Sequence, residues 1–160
     1  MTLLELTIAC AILLVLATTA VPLARVAVMR RKEENLRVAL RELRTAIDRY
    51  KDYADQGKIQ VKAGTEGYPP DLQTLVTGVP LAGGGATAGI LGAPSGGSLT
   101  SKHLHFLSKI PVDPMTGNTD WGLRAVQDDT DSTSWGGQDV FDVYSKSSGT
   151  AMNGTKYSDW

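Results

Sequence analysis

Glu5 is the residue of this 160-residue chain whose chemistry is most constrained by its neighbours. It directly precedes Leu6–Ala24, a run without a charged residue. A carboxylate at the end of an apolar helix costs several kcal/mol unless a cation pairs with it. The nearest cation is a free α-amino group, either its own or that of a neighbouring copy. A pair between copies would set their axial register, as a buried polar group does in coiled coils, whereas a Glu5 solvated at a membrane interface would have no such role.

Histidine and aspartate side chains suggest two kinds of metal site. His103 and His105 flank Leu104, and alternation along a strand would place both on one side, but a zinc site needs further ligands. Calcium needs several oxygen ligands, usually with more than one carboxylate. The calcium candidates are four aspartates in two loops: Asp128, Asp129, Asp131 and Asp159. The Asp129-x-Asp131 spacing resembles the start of an EF-hand loop but lacks its glycine and distal glutamate, so a solvated loop is the alternative.

No residue pattern in the sequence predicts catalysis. There is no nucleophile elbow and no glycine fingerprint between a strand and a helix. Cys10, the single cysteine, lies in the apolar run, so we expect a small apolar filler rather than a reactive thiol. The net charge of −1 also gives no indication of the strongly basic surface that nucleic-acid binding normally needs. We therefore expect a non-enzymatic protein without a required cofactor and without a nucleic-acid partner.

One long helix is predicted to position Glu5. Residues 1–29 are long and apolar enough to cross a bilayer as a helix, which takes roughly 20 residues, and Pro22 should bend it. Residues 30–57 continue the helix as an amphipathic half that ends at Gly57. Its apolar stripe follows the spacings of three and four that define one helix face: Leu36, Leu40, Leu43, Ile47 and Tyr50. Three i,i+4 ion pairs are expected on the wet side: Glu33–Arg37, Arg44–Asp48 and Lys51–Asp55.

Residues 58–160 are predicted to form a globular head. The segment 68–76 indicates a short helix with prolines at its first positions, and residues 77–100 indicate a glycine-rich surface loop. Residues 121–126 and 140–146 have strand character and flank a long hairpin loop. A small antiparallel sheet on the apolar stripe of the helix would make the chain an α+β protein.

These features resemble a known family. The opening Thr2-Leu3-Leu4-Glu5-Leu6, the aliphatic stretch and Pro22 are similar to the mature N-terminus of type IV pilins and type II secretion pseudopilins. The resemblance implies the pilin fold and roles in filament assembly for Met1, Glu5 and Pro22. It also implies that a prepilin peptidase cuts the precursor and that the amino group of Met1 is methylated. This chain has Met1 where the family usually has phenylalanine.

The head extends the resemblance towards the major pseudopilin of type II secretion. The matching segments are the Pro-Pro-Asp-Leu-Gln-Thr-Leu-Val stretch from Pro69, the turn 109–114, the strand at Trp121 and the strand 142–145. Major pseudopilins commonly hold calcium in the loop after the last strand. In this chain that loop has Asp159 as its one carboxylate, so the family's calcium site is not carried over.

The resemblance implies a structural subunit that polymerises into a pseudopilus and drives protein export. Its implied partners are further copies of itself, minor pseudopilins and an inner-membrane assembly platform. The implied location is the bacterial inner membrane with the head in the periplasm, although Arg25, Arg30, Arg31 and Lys32 taken alone predict a cytoplasmic head. Two alternatives stay open: a surface type IV pilus for adhesion, motility or DNA uptake, and a membrane-anchored binding domain.

Overall fold

A computed structural model of the chain describes residues 2–82, 103–129 and 132–160, without the side chains of residues 17–23. The structure is α+β, as predicted. Its helices are α1 (Leu3–Asp55), α2 (Leu72–Thr77) and a short 3₁₀ helix at Tyr157–Asp159. Its strands are β1 (Val79–Pro80), β2 (His103–Leu104), β3 (Gly122–Arg124) and β4 (Asp142–Tyr144).

Both ends of α1 are capped by local interactions. Thr2 is the N-cap, and its side-chain oxygen accepts a hydrogen bond from the Glu5 N–H at 3.3 Å. At the other end Gly57 has a φ of +64°, which glycine adopts without steric cost. The N–H of Gly57 bonds to the Ala54 carbonyl and that of Lys58 to the Tyr53 carbonyl. These two bonds form a Schellman motif and confirm Gly57 as the stop of the helix.

The predicted membrane span and the bend at Pro22 fall largely in the first half of α1. Within the described residues, no helix combines the length and the apolar character needed to cross a membrane. Pro22 lies in the segment 17–23, whose side chains are not described. The glycine-rich loop lies outside the description from residue 83 to its end.

The second half of α1 forms the centre of the core. All five residues of the predicted stripe, from Leu36 to Tyr50, are at most 2% exposed. They pack in one cluster with Leu75 of α2, Val143 of β4 and the side chain of Trp121. Burial of apolar surface is the main favourable term in folding, so this stripe positions the head on the helix.

Only one of the three expected i,i+4 ion pairs forms. Lys51 Nζ lies 2.7 Å from the Asp55 carboxylate, as predicted. Arg44 instead pairs with Asp142 of β4, because its guanidinium faces the sheet rather than solvent. Glu33 accepts hydrogen bonds from the head and does not pair with Arg37. The expectation that Arg44 and Glu33 lie on the solvent-facing side of the helix was therefore wrong.

The strands form two separate antiparallel pairs. In the first pair, β1 and β2 match Val79 with Leu104. In the second, β3 and β4 match Leu123 with Val143, which confirms the sheet predicted against the helix, with shorter strands. At one end of this pair Gly122 lies beneath the ring of Tyr144, where any Cβ would collide with the ring. The missing side chain thus lets Tyr144 pack across the strand pair.

Two local predictions need correction. The short helix α2 begins after the prolines, with Asp71 as its N-cap, because the Asp71 carboxylate accepts the Thr74 N–H at 2.6 Å. The two histidines do not share a strand face, because β2 ends at Leu104. After His105, the N–H groups of Phe106 and Leu107 both bond to the Leu75 carbonyl and turn the chain towards α2.

Candidate assembly surface

The first turns of α1 expose nearly all of their large apolar side chains. The exposed fractions in this segment run from 52% for Ile8 to 82% for Leu3. The members of this apolar segment are Leu3, Leu4, Leu6, Ile8, Ile12, Leu13, Leu14, Val15 and Leu16. Soluble monomers rarely expose contiguous apolar surface of more than a few hundred Å². A surface of this kind is typical of a segment covered by lipid or by another protein chain.

Glu5 lies in the first turn of α1, at the start of the apolar segment. Its side chain is exposed, and its carboxylate has no ion-pair partner among the described residues. Three residues from the N-cap, it lies near the positive end of the helix dipole, which favours a negative charge. The Thr7 hydroxyl donates to the Leu4 carbonyl at 2.8 Å, so this polar side chain is satisfied within the helix. Glu5 is thus the one charged side chain of the apolar segment.

The structure does not describe the side chains of two of the predicted assembly residues. Met1, the candidate for methylation, lies outside the described residues. Pro22 is within α1, but its side chain is not described. The roles of Met1, Glu5 and Pro22 in assembly therefore stay predictions.

Contacts among Arg44, Asp142 and Trp160, called the clasp below, hold α1 against the head. Arg44 donates to the Asp142 carboxylate at 2.6 Å and to the carbonyl of Trp160 at 2.7 Å. The ring of Trp160 lies under the guanidinium of Arg37, with 4.3 Å between the guanidinium carbon and the ring centroid. One turn earlier, the Tyr157 hydroxyl donates to the Glu33 carboxylate at 3.1 Å. Burial and this hydrogen bond raise the pKa of Tyr157.

The calcium candidate Asp128 organises the hairpin loop between β3 and β4. Its carboxylate accepts hydrogen bonds from the N–H groups of Ala125, at 2.8 Å, and Gly136, at 3.0 Å. These two bonds lower the pKa of Asp128, because they favour the charged carboxylate. Both bonds go to the same carboxylate oxygen, Oδ2, so the loop backbone holds this side of the Asp128 carboxylate in place.

Asp139, in the same loop, is fully buried. One carboxylate oxygen accepts the Val126 N–H at 3.1 Å, and the other has no hydrogen-bond partner. Desolvation raises the pKa of Asp139, and the nearby carboxylates Glu66 and Asp128 raise it further. Its backbone carbonyl accepts the indole N–H of Trp135 at 2.6 Å, which pins the end of the loop.

Of the three other calcium candidates, two lie within the described residues. Asp129 is exposed, Asp131 lies outside the described residues, and Asp159 accepts a hydrogen bond from its neighbour Ser158. Elsewhere, His105 Nδ1 donates to the Val76 carbonyl at 2.7 Å. In the part of the chain that is described, no three His, Cys, Asp or Glu side chains are arranged to hold a metal ion.

Sequence reasoning also did not predict the buried carboxylate of Asp113, which organises the head. Asp113 is fully buried and accepts hydrogen bonds from the Ser145 hydroxyl at 2.6 Å and the Met115 N–H at 2.8 Å. Its own N–H donates to the Asn118 carbonyl. The Asp-Pro-x-Thr-Gly pattern indicated the turn, since aspartate readily bonds to the backbone two residues on. The bond to Ser145 could not be predicted, because it joins residues far apart in the sequence.

Comparisons with protein-family models, with curated proteins and with solved structures found no match to this chain. The functional conclusion therefore depends on the residues and their geometry.

Proposed function

We propose that the chain is a structural subunit that polymerises into a helical filament through the first part of α1. The observation that carries this proposal is the exposed apolar segment of residues 3–16, continuous with a second helix half whose apolar stripe packs against the head. Bringing such segments together removes apolar surface from water or replaces lipid contacts with helix contacts. The small residues Ala9 and Ala11 favour close approach of the helices.

Glu5 distinguishes a filament from a simple membrane anchor. An anchor gains nothing from a carboxylate at the edge of its apolar segment, because burying the charge is costly. In a filament the carboxylate gains a partner, the α-amino group of a neighbouring copy, and this pair fixes the axial register. Head-to-tail contacts that do not close into a ring produce an open helical fibre.

In its finer form the proposal is a subunit with the pilin fold in the pseudopilus of a type II secretion system. The support is the resemblance of the N-terminal motif and of the head segments to the major pseudopilin. The monomer would wait in the bacterial inner membrane with its head in the periplasm. Minor pseudopilins, an inner-membrane assembly platform and a prepilin peptidase would be its partners.

A surface type IV pilus for adhesion, motility or DNA uptake is the second candidate. It uses the same helix core and the same Glu5. Many pilins of that class close their C-terminal loop with a disulfide, and this chain has only Cys10. In place of a disulfide, the clasp of Arg44, Asp142 and Trp160 fixes the C-terminal segment on α1.

Electron microscopy of material sheared from cells that express the chain tests the proposal. We expect fibres from the wild type and few or none from Glu5→Ala. Glu42→Ala is the matched control, because Glu42 is an exposed acid on the head-bearing half of α1. Equal fibre yields from wild type and Glu5→Ala would contradict the role of Glu5. A wild type that stays a dispersed membrane monomer would favour the anchored binding domain.

A further inference from the structure

Four basic side chains lie on α1 between its apolar segment and the part that carries the head. All four are exposed and are called the basic belt below: Arg25, Arg30, Arg31 and Lys32. From Leu6 to Lys32 the sequence contains no acidic residue. Among the described residues, none of the four cations forms an ion pair. The belt is therefore a local positive charge that the described part of the chain does not neutralise.

The two acidic residues that follow the belt are not paired with it. The Glu33 carboxylate accepts a hydrogen bond from the Tyr157 hydroxyl at 3.1 Å, so this acid is engaged with the head. Glu34 follows Arg30 by four residues, a spacing at which opposite charges can pair on a helix, but the described side chains form no such pair. The Tyr157 hydroxyl also lies 3.7 Å from Met29 Sδ, so the head first meets α1 at the level of the belt.

The basic belt surrounds the helix and does not line a single face. Successive residues of an α-helix are about 100° apart, so Arg30, Arg31 and Lys32 point in three different directions. Lys32 follows Arg25 by almost two turns and shares its face. A protein partner would contact one side of the helix and leave the remaining cations in water. A planar layer of negative charge perpendicular to the helix axis would meet all four.

The dimensions of this part of α1 match those of a membrane. The uncharged helical run Leu6–Ala24 rises about 28 Å, close to the roughly 30 Å of a hydrocarbon core. From Arg25 to Lys32 the helix rises about 10 Å, and the headgroup layer on each side of a bilayer is roughly 5–8 Å thick. Long basic side chains cover such a difference, because their stems lie along apolar surface while their charged ends reach the polar layer.

One face of the belt has the chemistry that a phospholipid requires. Arg25 and Lys32 line an open groove together with Ala24, Val28 and Met29. The Val28 and Met29 side chains are 54% and 42% exposed, so the groove offers apolar surface beside two cations. Guanidinium and ammonium groups bind phosphate oxygens by charge-assisted hydrogen bonds. A phosphate group can therefore bind the cations while the start of an acyl chain lies on the apolar side chains.

We propose that the basic belt binds the headgroups of anionic phospholipids and thereby fixes the depth of α1 in a membrane. The apolar segment then lies in hydrocarbon, and the head lies beyond the headgroups. This inference rests on the membrane-stored monomer of the proposed function and does not require the filament. A second copy at the same depth is excluded as the occupant, because it would bring an equally cationic belt and like charges repel.

Spin-labelled lipids test the lipid preference of the full chain. The chain is reconstituted in phosphatidylcholine vesicles with a trace of spin-labelled phosphatidylglycerol or spin-labelled phosphatidylcholine, and the motionally restricted fraction reports the association of each lipid. We expect phosphatidylglycerol to associate at least about threefold more strongly, because each cation near an anionic lipid surface adds to the attraction. Added salt should reduce this ratio, because it screens exposed charges. A wild-type ratio of one would overturn the proposal.

Removal of the belt charges provides the matched comparison. A belt variant should bring the ratio close to one, and its changes are Arg25→Gln, Arg30→Gln, Arg31→Gln and Lys32→Gln. A control variant with the same net charge has its changes at exposed positions outside the belt: Arg41→Gln, Arg49→Gln, Lys62→Gln and Lys109→Gln. The control should keep the wild-type ratio, and Arg31→Gln alone should give an intermediate one. An unchanged ratio in the belt variant, or equal losses in the belt and control variants, would overturn the proposal.

Free phosphate distinguishes a lipid surface from a site for a single phosphate ion. Millimolar inorganic phosphate should leave the ratio unchanged relative to chloride at equal ionic strength, because one ion cannot engage cations on all sides of the helix. A ratio that phosphate abolishes and chloride does not would assign the belt to free phosphate and overturn the proposal. Fibres without the lipid preference would overturn the belt alone. The lipid preference without fibres would support the belt and contradict the filament.

Discussion

Arg44 connects three elements through one guanidinium. It bonds to the carboxylate of Asp142 and to the carbonyls of Val143 and Trp160, so α1, β4 and the C-terminal segment share one partner. The Arg44 and Asp142 side chains are 39% and 26% exposed, and Arg124 lies 3.9 Å from the same carboxylate. A hydrogen bond to a charged group in such a partly buried position contributes more than an exposed pair.

Arg44→Met should lower the free energy of unfolding by about 1–3 kcal/mol, because it leaves partly buried acceptors without their donor. Urea unfolding of the full chain in detergent measures this loss. Lys146→Met is the control, since Lys146 and Asp120 form an exposed pair, which is worth at most about 1 kcal/mol. Equal losses from the two substitutions would show that the clasp contributes no more than a surface pair.

The two aspartates of the hairpin loop should give stability opposite dependences on pH. Asp139 has a raised pKa, so the folded chain binds its proton more tightly, and this residue's contribution falls as pH rises from about 3.9 through the folded pKa. Asp128 has a lowered pKa, so its contribution is present above the unfolded pKa and is lost as pH falls through the folded one.

Asn substitutions test these signs one residue at a time. Relative to wild type, Asp139→Asn should become more stable as pH rises from about 3 to 7, and Asp128→Asn should become less stable over the same range. The measurement is the free energy of unfolding in urea at several pH values. Curves that run parallel to the wild type would contradict the role of these carboxyl groups.

The aspartates also show where sequence reasoning stopped at the residue scale. Loop spacing singled out Asp128 and Asp129 as calcium candidates, but spacing does not reveal that the Ala125 and Gly136 N–H groups both bond to one carboxylate oxygen of Asp128. Burial of Asp113 and Asp139 depends on contacts between distant segments, which no local pattern contains. Likewise, Arg44 was assigned to Asp48 because helix spacing is local, whereas its actual partner comes from β4.

At the scale of elements, the two halves of α1 differ in how much of their apolar surface is buried. One face of its second half, the stripe from Leu36 to Tyr50, is buried against the head, whereas the large apolar residues from Leu3 to Leu16 are exposed. The amphipathic half was predictable because a repeat of three and four residues defines one helix face whatever covers it. The strand bounds were less predictable, because short strands such as β3 and β4 depend on the helix beneath them.

Leu43→Ala should destabilise the head by about 2–5 kcal/mol, because it opens a cavity at a fully buried position of the stripe. Val38→Ala is the control on the same helix, with a side chain that is 61% exposed, and should change stability by less than about 0.5 kcal/mol. Thermal unfolding of both variants in detergent measures the two changes in stability. Similar changes in the two midpoints would mean that the stripe does not form the core in solution.

At the scale of the whole molecule, the chain combines a packed head with an apolar segment that it does not cover itself. Because the apolar residues 3–16 are exposed while the stripe from Leu36 to Tyr50 is buried, a membrane or other copies would be needed to cover the first part of α1. The clasp holds the second half of α1 on the head.

Three-dimensional reconstruction of the sheared wild-type fibres tests the filament most directly. The prediction is a central bundle in which residues 3–16 of each copy pack against the same segment of neighbouring copies, with Glu5 next to a neighbour's amino terminus and the heads outside. A fibre held together by its heads, with residues 3–16 on the outer surface, would contradict the proposed core.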